Sequence, residues 1–255
     1  MHILAINGSH RGDRGWTRFL IDCLARGATE AGATCEVVTL AKLKINRCLS
    51  CYQCQQDAHH LHCVYEDKDD AAGVMAKMAA ADLLIYGTPI YMMSLSSLLK
   101  TFLDRLYSTM HIADMQLSES GLVHHHINPA ISSKPFAALI VSSNIEDASW
   151  HNAAHYFRLY GRFMNAPLRG LLIRNATPLL DAARDPDKAK RLPKVAQVYS
   201  AYEQAGRELA REQAISPFTL RRANQEIVPV PLFGLLKHLR PVKQLVIENT
   251  AKYTA

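Results

Sequence analysis

Nothing in these 255 residues runs apolar and uninterrupted for the length of a bilayer crossing, and no charged-then-apolar leader opens the chain. Both absences lead to the expectation of a soluble, cytoplasmic protein with no membrane partner. Gly-Lys-Ser and Gly-Lys-Thr steps are missing, and so is Gly-x-Gly-x-x-Gly. A nucleoside triphosphate loop and a bare dinucleotide fingerprint are therefore disfavoured. There is no internal repeat, no low-complexity linker and no stacked basic tract, although Lys and Arg (29) outnumber Asp and Glu (23) for a net charge of +6. Scattered basic charge reads as a solvated surface rather than a nucleic-acid interface, with a mild field that favours anionic ligands. Cysteine is scarce outside one stretch, with only Cys23 and Cys35 lying elsewhere. No acid–base or nucleophilic constellation stands out.

What is present is an alternation of strand and helix patterns. Residues 2–7 read as a short buried strand, residues 8–17 as a Gly-rich polar loop, and residues 18–25 as a helix with apolar residues at three- and four-residue steps. In that arrangement backbone amides and a helix N-terminus converge on an anion. Gly8, Gly12 and Gly15 permit close approach, Ser9 and Thr17 supply hydroxyls, and Arg11 can fork onto a phosphate. A monophosphate ester is the ligand class that remains; an ordinary strand-to-helix turn is the alternative.

Further strands are expected at 34–40, 82–88, 135–143 and 168–173, with helices at 69–80, 95–107, 148–163 and 187–212, the last despite Pro193. The 95–107 helix places Leu95, Leu98, Leu99, Phe102 and Leu106 on one apolar face, with Lys100, Asp104 and Arg105 elsewhere on the cylinder. Residues 108–134 read as irregular, and His124, His125 and His126 as a polar surface loop rather than a metal cluster. Past Ser216, four prolines interrupt the pattern. That tail carries Leu232, Phe233, Leu235, Leu236, Leu239 and Val246, more apolar surface than a solvated terminus needs. It is expected to pack on a second subunit, in a homo-dimer or homo-tetramer, or else on its own domain.

Five β/α units in about 180 residues predict an open, doubly wound parallel sheet with its ligand beyond the carboxyl ends of the strands. Three loops would meet there: residues 9–17, residues 89–94, and residues 142–146 with Ser142 and Ser143. In the second loop Pro89 stiffens the turn, Tyr91 offers a ring to stack, and Met92 and Met93 offer polarisable cover. The loop's amides can hydrogen-bond the edge of a flat heterocycle.

The segments 3–11 with Trp16 and Thr17, then 87–91, then 98–105 together resemble the flavodoxin-fold NADPH-dependent FMN reductases, most closely their iron–sulfur flavoprotein branch. The resemblance implies a five-stranded parallel sheet in the order 2-1-3-4-5, an FMN-binding domain over 1–180 and a helical or irregular extension over 181–255. It also implies FMN phosphate on Ser9, Arg11, Gly15, Trp16 and Thr17. The isoalloxazine would lie on Pro89, Ile90, Tyr91, Met92, Met93 and Ser94, with Ser142 and Ser143 beside it. His10 stands where that family usually has proline, and Gly15-Trp16-Thr17 where many members have Gly-Asn-Thr. The implied activity passes electrons from NAD(P)H through flavin to a quinone, another small acceptor or an iron–sulfur cluster. A non-enzymatic carrier reduced by ferredoxin or another redox protein is the alternative.

Cys48, Cys51 and Cys54 are spaced C-x2-C-x2-C, and Cys63 follows after eight residues that include His59, His60 and His62. Disulfides are not expected in a cytoplasmic protein. Three cysteines at this step with a fourth nearby match the ligand set of a [4Fe-4S] cluster. Four thiolates also satisfy tetrahedral zinc, and unligated thiols are the third reading.

Overall fold

The computed structural model describes residues 1–57 and 60–254, with side chains through residue 248. His59 of the cysteine loop lies outside the described residues. The strands are β1 (His2–Asn7), β2 (Thr34–Thr39), β3 (Leu83–Pro89), β4 (Met110–Leu117), β5 (Val123–Ile127), β6 (Phe136–Val141) and β7 (Leu168–Arg174). The helices of the α/β core are α1 (Trp16–Glu30), α2 (Ala71–Ala80), α3 (Ser97–Arg105), α4 (Pro129–Ser132), α5 (His151–Phe163), α6 (Thr177–Ala182), α7 (Pro186–Ala189) and α8 (Pro193–Glu212). Three more follow: α9 (Pro217–Ala223), α10 (Phe233–Leu236) and α11 (Arg240–Thr254).

Five strands form a wholly parallel sheet in the order β2-β1-β3-β6-β7, which is the expected 2-1-3-4-5. Successive side chains leave opposite faces of a strand, and here both faces are apolar. Ile3, Ala5, Leu83, Ile85 and Leu139 pack toward α1 and α8, whereas Leu4, Ile6, Leu84, Tyr86 and Ile140 pack toward α2, α3 and α5. The long helices α1 and α8 cross in close contact. A Cβ on Gly27 would lie 1.8 Å from the Glu203 carbonyl oxygen, and one on Gly206 would lie 1.9 Å from that of Leu24. The two glycines thus let the backbones meet, and α8 completes the α1 side of the sheet.

Two expectations need correction. Residues 108–134 are not irregular, because β4 and β5 pair as an antiparallel hairpin in which His111 faces His126 and Gln116 faces His124. Cross-strand pairing supplies that order, and Gly121 (φ 76°) turns the chain between the strands. The His124–His126 run therefore lies in a strand rather than a loop. The 187–212 helix is also interrupted: α8 begins at Pro193, and Leu192 before it is non-helical at φ −125°, ψ 50°. Proline favours the first helical position and disfavours helical backbone at the residue before it. Arg105, which lies off the apolar face of its helix, is buried as well.

In the tail, Ile227, Val228, Phe233 and Val246 enter the core on the α1–α8 side, while Leu232, Leu235 and Leu239 stay exposed. Glu208 of α8 accepts from the Ser216 amide (2.7 Å) and the Thr219 hydroxyl (2.6 Å), which fixes the start of α9. Lys237 and Lys243 pair with Asp147 and Glu146, both at 2.6 Å, so the tail is clasped to the loop after β6.

Candidate functional site

The loop after β1 is shaped by a side chain that ends the strand. Asn7, fully buried, accepts from the Ser9 amide (3.1 Å) and donates to the Gly12 carbonyl (3.1 Å). Gly12 occupies the left-handed region at φ 57°, where a side chain would strain the turn. The Ser9 hydroxyl accepts from the Arg11 amide (3.2 Å). A Cβ on Gly15 would stand 2.8 Å from that hydroxyl oxygen, so the glycine keeps the hollow open. Helix α1 starts at this hollow with no side chain capping its first turn, and its amides carry the positive end of the helix dipole. Beneath the loop, Asp13 bonds Lys42, the Thr39 hydroxyl (2.8 Å) and Arg18 (2.7 Å). Lys42 and Thr39 hold the Asp13 carboxyl below its usual value. The hollow therefore suits a phosphate ester, with Ser9, Arg11 and Thr17 beside free helix amides.

Trp16 supplies only its backbone to this cradle. Its indole donates to Asp181 (3.0 Å), meets Phe19 edge-on at 5.1 Å and lies under the Arg184 guanidinium. The side chain thus braces α1 against α6.

The loop after β3 is a tight turn. Tyr91 and Ser94 exchange amide-to-carbonyl bonds of 3.2 and 3.1 Å, and the two central residues, Met92 and Met93, both have positive φ (45° and 61°). Such a turn normally takes glycine or asparagine. Met92 is 87% exposed, so no packing accounts for a methionine there. Strained, exposed apolar residues at the carboxyl edge of a sheet make the turn a candidate ligand face. Replacing Met92 and Met93 together by glycine is expected to raise stability by about 1 kcal/mol through relief of the left-handed backbone, while weakening FMN. Urea unfolding and an FMN titration on the same variant check the two opposite signs.

Ser96, which the sequence reading did not single out, joins the loops. Its buried hydroxyl donates to the Gly8 carbonyl (2.6 Å) and accepts from the Leu99 amide, capping α3. His10 Nε2 meets the Ser97 hydroxyl at 2.9 Å, and the His10 and Tyr91 rings lie 5.6 Å apart. The Asn152 side chain donates to the Met93 carbonyl (3.2 Å), linking the β3 turn to the start of α5. After β6, the Ser142 hydroxyl lies 3.2 Å from that of Ser149 and accepts from the Asn144 amide, whereas Ser143 is exposed. Pro89 closes β3, and the Ile90 amide donates to Val141 (2.7 Å). The predicted loops after β1, β3 and β6 therefore meet at one sheet edge.

The cysteine loop runs between β2 and α2. Cys48, Cys51, Cys54 and Cys63 are all free thiols, and all four line one concavity with Tyr52, Tyr65, Arg105 and Tyr107. Ser50 and Tyr52 take left-handed backbone (φ 51° and 58°), which bends the C-x2-C-x2-C segment around it. Burial pushes the Cys54 thiol above its ordinary value. The donor set fits a thiolate-bound metal group. Among the described residues, though, no three His, Cys, Asp or Glu side chains are close enough together to hold an ion as they stand. Among the same residues no helix is long and apolar enough to cross a membrane.

Comparison with known proteins bears on the fold and the family. An iron–sulfur flavoprotein of Archaeoglobus fulgidus is 32% identical over 105 residues, 41% of this chain and 48% of the relative. The aligned part spans about half the length of the curated relatives. An FMN-dependent NADH-azoreductase from Bacillus anthracis, solved with FMN, superposes with a TM-score of 0.57 at 14% identity, covering 83% of this chain and all of the other. An NAD(P)H:quinone oxidoreductase from Methanothermobacter marburgensis gives 0.55 at 17% identity, over 82% and 98%. These structural likenesses show the fold. The family profile described as NADPH-dependent FMN reductase matches residues 1–159, more than half of the chain, and the protein belongs to that family.

Proposed function

We propose that the protein is an FMN-dependent NAD(P)H oxidoreductase that delivers electrons to a quinone or another small acceptor. The observation that carries this reading is the Ser96 bond to Gly8, which locks the anion cradle to the heterocycle turn. Ser9, Arg11, Thr17 and the first amides of α1 hold the phosphate, and Gly15 leaves it room. Tyr91, Met92 and Met93 would cover the ring, and the Met92 and Met93 amides, unused by the Tyr91–Ser94 pair, would be available to its polar edge. Ser143 is the exposed hydroxyl of the third loop. FMN when bound supplies the two-electron exchange with a nicotinamide and the one- or two-electron exchange with an acceptor. The protein's part is to bind, orient and exclude water.

Two features of the chain extend this reading. The four cysteines on one concavity favour a [4Fe-4S] centre and hence exchange with ferredoxin or another redox protein. The FMN unit spans 1–180, and the exposed Leu232, Leu235 and Leu239 of the extension serve a homo-dimer or homo-tetramer in the cytoplasm. Anaerobic purification followed by an absorbance spectrum, iron and sulfide analysis and NAD(P)H oxidation with a quinone tests the proposal. Yellow protein that releases FMN and oxidises NADPH or NADH is expected. Colourless protein that binds no added FMN refutes it, and bound flavin without nicotinamide oxidation favours the carrier.

A further inference from the structure

Arg105, the last residue of α3, is 1% exposed. Among the described residues, the hydrogen bonds, ion pair and ring contact of its guanidinium come from residues 46–69, while its buried Nε has no hydrogen-bond partner. One arm, Nη1, donates to the Asn46 carbonyl (3.1 Å) and pairs with Asp69, whose side chain is 0% exposed. The other arm, Nη2, donates to Cys63 Sγ at 3.2 Å. The guanidinium carbon lies 5.5 Å from the centre of the Tyr65 ring. Asp69 in turn accepts from the amides of Asn46 (2.9 Å) and Ala71 (3.1 Å). The carboxylate is thus fixed on one arm of the fork, and the second arm presents its charge to sulfur.

Arg105 also separates two spaces. With Cys63 and Ser108 it lines the concavity of the four thiols on one side, and on the other a cavity of about 240 Å³ that includes Glu66, Met75 and Asn128. A buried cation costs several kcal/mol of desolvation, so its place beside a thiol is not a neutral packing choice. Positive charge and N–H donation at a metal-bound sulfur stabilise the more electron-rich state of the group, and outer contacts of this kind set reduction potentials.

We propose that Arg105 is the positioning residue of the cysteine centre: it holds Cys63 against the concavity shared with Cys48, Cys51 and Cys54, and it raises the reduction potential of a metal–thiolate group bound there. The proposal rests on reading those cysteines as a metal site. Its test starts from the full-length protein, reconstituted anaerobically with ferrous iron and sulfide. Arg105→Gln is expected to shift the one-electron equilibrium of the centre toward the oxidised form by ten- to a hundredfold, which is about 60–120 mV at 59 mV per tenfold. The FMN potential should stay in place. Arg105→Lys, which keeps the charge and loses the fork, should recover part of the shift. The double variant Arg105→Gln/Asp69→Asn, which strands no buried carboxylate, should show the same shift as Arg105→Gln. An equal potential in wild type and the glutamine variants overturns the proposal.

A metal-free readout separates this question from that of the cluster itself. Phenylarsine oxide bridges thiols held side by side, and mass spectrometry maps which cysteines share it. The wild-type apoprotein should carry Cys63 in the bridged adduct, and Arg105→Gln should lose it. Wild-type protein that takes up no iron and sulfide removes the metal reading; the arsenical then decides the positioning role alone, and identical adducts in both proteins overturn it.

Discussion

An Asp69→Ala protein is expected to lose about 3–5 kcal/mol of folding stability, because the truncation leaves Arg105 buried without its counter-charge. For a chain of this size that is a fall in melting temperature of roughly 6–20 °C at about 2–4 °C per kcal/mol. Asp69→Asn keeps the side-chain volume and one acceptor oxygen where the aspartate offers two, one each to the Asn46 and Ala71 amides, so it should lose less than Asp69→Ala. The pair also has a pH signature. Burial pushes the Asp69 carboxyl up, but the Asn46 amide, the Arg105 guanidinium and the Ala71 amide outweigh it and hold the pKa below the ordinary value. A depressed carboxyl contributes stability that is fully present above its unfolded pKa of about 3.9 and disappears as pH falls through the lower folded value. Wild type should therefore lose stability below about pH 4 more steeply than Asp69→Asn. Urea unfolding at neutral and acid pH measures both effects; parallel pH profiles would remove the linkage.

Joint replacement of Arg11 and Thr17 by alanine should yield folded protein that has lost most of its FMN. Loss of the charge-assisted bond alone costs about 1.5–3 kcal/mol, or roughly ten- to a hundredfold in affinity, and the threonine hydroxyl adds about 1 kcal/mol. Neither change is expected to disturb the loop, since Asn7, Gly12 and Asp13 set its shape. Titrating the apoprotein with FMN by flavin fluorescence gives the affinity. An unchanged value would withdraw the phosphate from Arg11 and Thr17, while leaving the family assignment intact.

The parts of the site that could be read from the chain are those written locally. The β1 strand, its glycine-rich loop and α1 are contiguous, and so are the β3 turn and α3, so patterning alone finds them. Asn7 left a trace as the one amide side chain ending an apolar strand, and Ser96 as a hydroxyl just before an amphipathic helix, a standard helix-start signal. Neither trace says that Ser96 reaches a carbonyl 88 residues away. Arg105 was hidden for the same reason. Helical periodicity counts it among the polar positions, and only the fold brings Asp69 and Cys63 to its side. The β4–β5 hairpin was missed because its histidines have no strand signature of their own, and their order comes from the facing strand.

Helix α3 is fastened at both ends: Ser96 holds the Gly8 loop at its start, and Arg105 holds the cysteine loop at its finish. The two anchorages are therefore keyed to each other in rotation as well as in distance. One residue inserted between them would swing Arg105 through about 100° and advance it by about 1.5 Å, aiming the guanidinium away from Cys63. The interval from Cys54 to Cys63 carries no such constraint, because a loop can lengthen at small entropic cost. Among descendants of such a chain, the stretch from Ser96 to Arg105 is the one whose length should resist change, while the spacing from Cys54 to Cys63 is free to drift.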